Sequence, residues 1–347
     1  MDMVRMLVRE MALRADYLPA RQLSTIYFGG GTPSLLTPGQ MADLFSAIDD
    51  HFAIAPDAEI TLEANPDDLT PEKLNHLRDS PINRLSIGIQ SFSETDLRFM
   101  NRAHTAREAL TVVTQARQAG FEQLTIDLIY GSPTTTDEIW LQNLEIAFAL
   151  DIPHMSCYAL TVEARTALDH FVRTGKSVPV DEEQAARQYN MLVEQMVIHG
   201  YEQYEISNFA RDGQYARHNT AYWQGIPYLG IGPSAHSFDG QSRQWNVAHN
   251  ARYIQELQAS EETYPDCLFE REELDTTTRY NEYIMTGLRT VWGVCIDQME
   301  EAYRPYFVRE AQKHINAGLM VKEGNRYYLS KAGKLLADRL AMDLFAD

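Results

Sequence analysis

From residue 24 to about residue 210 the chain alternates short apolar stretches with longer segments of helical period. The strand-like stretches are Thr25–Phe28, Glu59–Glu63, Arg84–Gln90, Leu124–Ile129, Met155–Leu160 and Glu202–Ser207. The helical segments carry their own start and stop signals. Thr37-Pro38-Gly39-Gln40 offers an N-cap, a proline at the first helical position and a capping-box glutamine, and Thr70-Pro71-Glu72 repeats the first two. The segment 105–119 puts Ala109, Leu110, Val113 and Ala116 on one face before Gly120. The segment 182–199 does the same with Ala185, Tyr189, Leu192, Met196 and Val197 before Gly200. Regular βαβα alternation predicts a parallel sheet with right-handed crossovers, either a partial or complete barrel or a doubly wound sheet.

After about residue 265 the pattern changes. A helix over Thr277–Val291, a shorter helix and Phe307–Ala317 precede a hairpin, Met320–Lys322 with Tyr327–Leu329, and a last amphipathic helix over 331–345. Helices followed by a small hairpin predict a winged-helix-like module. Glu and Asp are mixed through it, which favours a packing or partner-binding role over DNA binding.

Charge narrows the classes of partner. With 30 basic and 49 acidic residues the net charge is −19, which argues against a general nucleic-acid footprint and against docking on anionic lipid. An anionic small ligand needs only a few local donors and stays open. The apolar runs fall short of a membrane span, and the first residues lack the apolar core of a signal peptide, so the expected location is cytoplasmic. Cys157, Cys267 and Cys295 form no CxxC or CxxxCxxC pattern. Cys157, inside an apolar stretch, reads as a buried thiol, and neither a disulfide framework nor a closed metal site is expected.

Candidate chemistry gathers at strand ends. Thr25-Ile26-Tyr27-Phe28 runs into Gly29-Gly30-Gly31-Thr32, bare main chain that a ligand can approach without meeting a Cβ. Glu63, Gln90, Asp127 and Tyr158-Ala159 lie at or near the ends of later strands, positions that converge on one mouth in a parallel barrel. Asp127, between Ile126 and Leu128, is costly to bury unless something neutralises or hydrogen-bonds it. Taken singly, Glu63 also reads as a turn cap, Gln90 as a tie between loops, and Arg102 as a surface partner of Glu94 or Asp96. Read without reference to any family, the glycine turn would hold a phosphate, with Asp127 and Glu63 as acid–base groups.

Gly29-Gly30-Gly31-Thr32-Pro33-Ser34, Glu63-Ala64-Asn65-Pro66, Arg84 to Phe92, Asn101-Arg102 and Ile126 to Gly131 follow one family in order and spacing. The chain resembles the radical S-adenosylmethionine (SAM) proteins related to oxygen-independent coproporphyrinogen III oxidase, and most of all their HemW-type haem chaperone branch. The resemblance implies that Gly30, Gly31 and Thr32 take the methionine end of SAM and that Glu63 approaches the same region. It further implies Gln90 and Arg102 at the ribose and carboxylate, Asp127 on the ribose side, and the Ala159 backbone at the adenine. Arg217-His218-Asn219-Thr220-Ala221-Tyr222-Trp223 resembles the HNxxYW motif of the chaperone branch, which implies contact with haem and makes His218 the candidate iron ligand; His236 is a weaker one. The alternative for His218 and Trp223 is organising the sheet edge.

The family holds a [4Fe–4S] cluster through CxxxCxxC ahead of its first helix, and these 347 residues carry no such motif. Residues 1–18 resemble that first helix, with Met3, Leu7 and Met11 as its apolar stripe. Without cluster ligands there is no electron source for reductive cleavage of SAM, so no radical catalysis is expected of this chain. The expected fold is α/β: a partial (β/α)6 TIM-like barrel over 1–215, its first strand apparently missing and Thr25–Phe28 left as an open edge. A connecting segment follows over 216–265, then the winged-helix-like domain over 266–347. The expected function is haem binding and delivery, with haem and a haem-acceptor protein, of a respiratory kind, as partners and room for a homodimer. The alternative is coproporphyrinogen III decarboxylation in a longer parent.

Overall fold

The computed structural model describes residues 2–346. The chain begins α1 (Asp2–Leu13), β1 (Gln22–Phe28), α2 (Pro38–His51), β2 (Ala53–Ala64), α3 (Pro71–Arg78) and β3 (Arg84–Gln90). It continues α4 (Glu94–Phe99), α5 (Ala106–Gln118), β4 (Gln123–Tyr130), α6 (Asp137–Ala149), β5 (His154–Ala159) and α7 (Ala167–Arg173). Then come α8 (Glu182–Ile198), β6 (Glu202–Gln203), β7 (Asn208–Ala210) and α9 (Arg217–Trp223). Two compact units result. One takes Gly31–Leu35 and Ile60–Ala216; the other takes the chain up to Gly30, Leu36–Glu59 and everything from Arg217.

In the unit built on residues 60–216 the second half of β2 pairs parallel with β3, β3 with β4, and β4 with β5. Alternation within each strand decides what its faces do. Leu62, Leu85, Ile87, Leu124, Ile126, Leu128 and Met155 are fully buried on one side. Each such side chain contributes ~1.5–3 kcal/mol over leaving it in water. The intervening residues, Thr61, Glu63, Ser86, Gly88, Gln90, Thr125, Asp127 and Ser156, are mostly polar. A parallel sheet covered on both faces reads as continuous apolar runs; alternating polarity marks this sheet as lining a polar interior on one side.

The expected sixth parallel strand over Glu202–Ser207 is not there. β6 and β7 form a tight hairpin, with Tyr204 N–H donating to Asn208 O at 3.2 Å, and β7 pairs antiparallel with both β6 and β5. No crossover helix separates β6 from β7, so parallel pairing is sterically closed to them. The sheet is therefore an open, partial barrel-like one rather than a (β/α)6 barrel.

Helix caps follow the expected signals. Thr37 and Gln40 form a capping box, and Thr70 and Thr105 accept from the backbone N–H groups of Lys73 and Glu108. The helix faces hold in part. Ala109, Val113, Ala116, Tyr189, Leu192 and Met196 are buried, while Leu110 and Val197 stay exposed at 40% and 69%. Buried Val112 takes the place expected of Leu110 in α5.

The other unit continues with β8 (His236–Phe238), β9 (Ser242–Asn246), α10 (Asn250–Ala259), β10 (Phe269–Glu273), α11 (Thr276–Leu288) and β11 (Val294–Cys295). It closes with α12 (Arg304–Asn316), β12 (Met320–Glu323), β13 (Arg326–Leu329), α13 (Lys331–Lys334) and α14 (Ala337–Met342). The hairpin is present, but β11 joins it as a third strand in the order β11-β13-β12. The single helix expected over 331–345 is two. Gly333 packs so closely on Leu319 that a Cβ there would stand 2.0 Å from its carbonyl oxygen, and helix geometry lapses at Leu336. What stands is a mostly helical C-terminal region with a small sheet, and the narrower winged-helix description is not established.

A buried ion pair organises this unit. Glu10 of α1 is fully buried and accepts from Arg14 Nη1 at 3.0 Å, Gly232 N–H at 2.8 Å, Asn246 Nδ2 at 2.8 Å and the Tyr253 hydroxyl. Arg14 also donates to Gln244 Oε1 at 2.8 Å and Ser237 Oγ at 3.1 Å. One helical turn away, Met6 packs with Tyr253, Leu257 and Leu268. Glu10→Ala strands a buried guanidinium and three further donors, so urea unfolding should show a loss of ~3–5 kcal/mol. A loss of less than about 0.5 kcal/mol would contradict this role.

Candidate functional site

The loop after Gly30 and the polar ends of β2, β3 and β4 enclose a cleft of about 120 Å³, open to solvent on one side. That is below the ~300–1,000 Å³ of drug-sized small-molecule sites. Gly31, Thr32, Glu63, Gln90, Arg102 and Asp127 all line it. Gly30 precedes the lining, with φ +75°, and Ala159 ends β5 exposed and outside the lining. Sequence reasoning missed Ser86, Gly88 and Ser34 as lining residues and gave Asn65 no role. The signal for Ser86 and Gly88 was available: both alternate with buried Leu85 and Ile87 in the same register as Gln90.

Local backbone geometry aims these groups. Gln90 sits at φ +65°, where the β3–β4 register shifts. A non-glycine residue there costs on the order of 1–3 kcal/mol, which the surrounding packing holds in place. Its side-chain amide folds back over Gly88, where a Cβ would stand 2.9 Å from Gln90 Nε2 and 3.3 Å from Arg102 Nη2. Arg102 follows Asn101, whose φ of +52° turns the chain out of α4.

Arg102 Nη2 donates to Asn65 Oδ1 at 2.7 Å and to Gly88 O at 3.2 Å. Its expected partners Glu94 and Asp96 are otherwise engaged. Glu94 accepts from Ala106 N–H at 2.7 Å, and buried Asp96 from Ser91 Oγ at 2.9 Å and Thr134 Oγ1 at 2.7 Å.

The charge pattern discriminates among ligands. Glu63 and Asp127 stand with Arg102 in one cleft, a set that disfavours a phosphate dianion and suits a cation or zwitterion. Arg102 Nε is buried with no hydrogen-bond partner among the described residues, an unsatisfied donor on a side chain that lines the cleft. A Cβ on Gly31 would meet nothing within 4 Å, so open space stands over that main chain. These features fit a bound SAM.

They do not extend to an iron–sulfur cluster. Cys157 and Cys295 are buried, Cys267 is exposed, and no group of three or more His, Cys, Asp or Glu among the described residues could hold a metal. Burial pushes the Cys157 thiol well up.

Asp127 carries the strongest perturbation in the cleft. Burial, and secondarily the Glu63 charge, push its carboxyl from the ordinary 3.8 up to about 7, with Arg102 and Ser86 pulling the other way and Ser156 hydrogen-bonded to it. It is enclosed by protein on most sides and keeps a partial opening to the cleft.

The second candidate region lies on α9, in the other unit. Glu59, buried, accepts from both Arg217 N–H at 3.0 Å and His218 N–H at 2.9 Å and so anchors the start of the helix. His218 stacks on Tyr27 of β1 at 4.8 Å and meets Tyr222 edge-on at 4.9 Å. Both of its ring nitrogens are engaged, Nδ1 with Thr25 Oγ1 at 2.9 Å and Nε2 with the Tyr222 hydroxyl at 3.1 Å. Burial holds its pKa down at about 4, with Glu59 pulling the other way, so the imidazole is neutral at physiological pH. Trp223 lies under the Arg289 guanidinium at 5.6 Å, and His236 is exposed beside Trp245.

Because Asp127 binds its proton more tightly folded than unfolded, its contribution to stability is full below about pH 4 and lost as pH rises through about 7. Asp127→Asn should flatten that decline. Melting midpoints compared at about pH 5 and about pH 8 check it: the drop should be smaller in the variant, and an equal drop would contradict the shift.

A family model described as the radical SAM superfamily matches residues 2–147. The heme chaperone HemW of Mycobacterium tuberculosis is 35% identical over 335 residues, covering 96% of this chain and 84% of the relative. HemW of Bacillus subtilis is 34% identical over 323 residues, covering 92% and 84%. Among solved structures, the coproporphyrinogen III oxidase HemN of Escherichia coli, a radical SAM enzyme, superposes with a TM-score of 0.84 over 99% of this chain and 82% of that one. At 23% identity, that likeness speaks to the fold. The chain belongs to the radical SAM superfamily, within the HemW/HemN-related family, and its sequence carries no cluster-cysteine motif.

Proposed function

We propose that the chain is a cytoplasmic haem-binding chaperone that keeps a SAM pocket and passes haem to acceptor proteins, respiratory ones among them. The observation that carries this reading is its similarity to a heme chaperone along 96% of its length. In the cleft, the exposed main chain of Gly30, Gly31 and Thr32 takes the methionine amino and carboxylate end of SAM. Arg102 offers its unpartnered Nε to that carboxylate. Glu63 and Asp127 face the cationic sulfonium and the ribose, Gln90 the ribose, and the Ala159 backbone the adenine. SAM supplies a sulfonium and an adenosyl group; the protein's part is to bind and orient them. The CxxxCxxC thiolates that a reductive step would need are not among these 347 residues.

Haem, as cargo, is assigned to the aromatic surface of α9. The low pKa of His218 keeps its imidazole neutral, so that one ring nitrogen has the lone pair an iron ligand needs. The Tyr222 hydroxyl holds Nε2, so ligation through that nitrogen requires the hydroxyl to swing away. Among the described residues no helix is long and apolar enough to cross a membrane, which leaves delivery to a soluble or peripheral encounter as the simplest route.

Two binding experiments test the reading. Gly31→Ala is sterically open and free of a left-handed backbone, so its stability should change by less than about 0.5 kcal/mol. Calorimetric SAM affinity should nevertheless fall at least about tenfold, and an unchanged affinity would remove the glycine loop from the site. Haemin titration should shift the Soret band in the wild type but much less in His218→Ala, and Tyr222→Phe should retain the shift. An identical shift in His218→Ala would place haem elsewhere.

A further inference from the structure

Behind the Asp127 carboxyl a line of hydrogen-bonding groups leads away from the cleft to Glu205. Strand register sets it out: Asp127 of β4 is paired with Ser156 of β5, and Ser156 with Asn208 of β7. Ser156 Oγ donates to Asn208 Oδ1 at 2.6 Å, and Asn208 Nδ2 donates to Glu205 Oε1. Ser156, Asn208 and Glu205 are all buried, so water does not interrupt the line.

The sense of the line is set at its far end. A carboxylate only accepts, so Asn208 must turn its NH2 to Glu205 and its carbonyl to Ser156. Ser156 has one proton, and that proton is committed to Asn208. Toward Asp127 the hydroxyl therefore offers only lone pairs. A hydrogen bond between the two requires Asp127 to be the donor, which is its neutral acid form.

We propose that Glu205 is a positioning residue of the cleft: by fixing the sense of the Glu205–Asn208–Ser156 chain it holds Asp127 as the neutral acid until a cationic ligand enters. The proposal deepens the SAM reading and rests on it for the identity of that ligand. When a sulfonium approaches, the Asp127 O–H bond breaks, the proton leaves to solvent through the open cleft, and the carboxylate remains to face the cation.

The other groups around Asp127 divide. From β2, Glu63 also favours the acid. From the turn after α4, Arg102 favours the anion, as does the Ser86 hydroxyl of β3. On β5, Cys157 and Tyr158 stay protonated, both pushed up by burial and by Asp127. A lone serine beside a carboxyl would ordinarily stabilise the anion. The commitment of the Ser156 proton to Asn208 removes that option.

The test is a carboxyl titration of the unliganded full chain by carbon NMR or infrared spectroscopy, from about pH 4 to about pH 9. The Asp127 signal is identified by its loss in Asp127→Asn. In the wild type it should stay protonated up to about pH 7. In Glu205→Gln, whose amide meets Asn208 either way round, the midpoint should fall by about one unit, a tenfold change in acidity. In Ser156→Ala it should also fall, because the acceptor of the Asp127 proton is gone. A serine that donated to the carboxylate would make the same substitution raise the midpoint.

An unchanged midpoint in folded Glu205→Gln, or an unchanged or higher one in Ser156→Ala, overturns the proposal. If Glu205→Gln does not fold, Ser156→Ala decides alone. The readout needs no ligand, so failure of SAM to bind a protein with the expected titration would count against the ligand and leave the role of Glu205 standing.

Discussion

The carboxyl of Asp127 is carried on a strand between Ile126 and Leu128, both fully buried, and the inner face of the sheet is arranged around that constraint. A charge in such a place must be paired, hydrogen-bonded or neutralised. All three solutions are present. Arg102 stands across the cleft, Ser86 and Ser156 lie within reach, and burial with Glu63 raises the affinity for a proton. Gln90 in its left-handed conformation and Gly88 without a Cβ make sense in the same terms, since both are needed to bring Arg102 and the Gln90 amide over the floor of the cleft.

The two compact units hold different chemistry. The unit of residues 60–216 contains the polar cleft. The other contains an aromatic patch on α9, and there the buried Glu59 carboxylate does for the backbone of Arg217 and His218 what an N-cap side chain does for an ordinary helix. His218 is tied to β1, an edge strand of the sheet, through Thr25 and Tyr27. That tie does not compete with haem contact: a ring fixed by its Nδ1 and stacked on a tyrosine is a ring whose Nε2 has a defined direction. The cleft carries donors and acceptors that suit a zwitterionic ligand, and no group of three or more His, Cys, Asp or Glu among the described residues could hold a metal.

Much of the fold was legible because its signals are local. Threonine caps, capping boxes and glycine stops lie within a few residues of the helices they delimit, and the strands from Arg84 to Leu160 announce themselves by period and composition. The cleft was legible for a related reason: strand-end residues of successive βα units converge wherever the sheet is parallel. What stayed hidden depends on distant pairing. β2 starts at Ala53 rather than Glu59, and Pro56 within it reads as a break unless the strand is known to be held by neighbours. The antiparallel turn of β7 depends on its partner β5. Ser86, Ser156 and Asn208 are small polar residues that say nothing until register places them beside Asp127, and Glu205 gains meaning only through Asn208.

The central claim is that this cleft recognises a sulfonium through carboxylates, one of which must first lose a proton. Its most direct measurement is the ratio of affinities for SAM and for S-adenosylhomocysteine, which lacks the methyl group and has a neutral sulfur, by calorimetry at about pH 6 and about pH 8. The account predicts a preference for SAM that grows as pH rises through about 7, with protons released on binding at the lower pH. A ratio near one at both values, or a preference that does not move with pH, would contradict it.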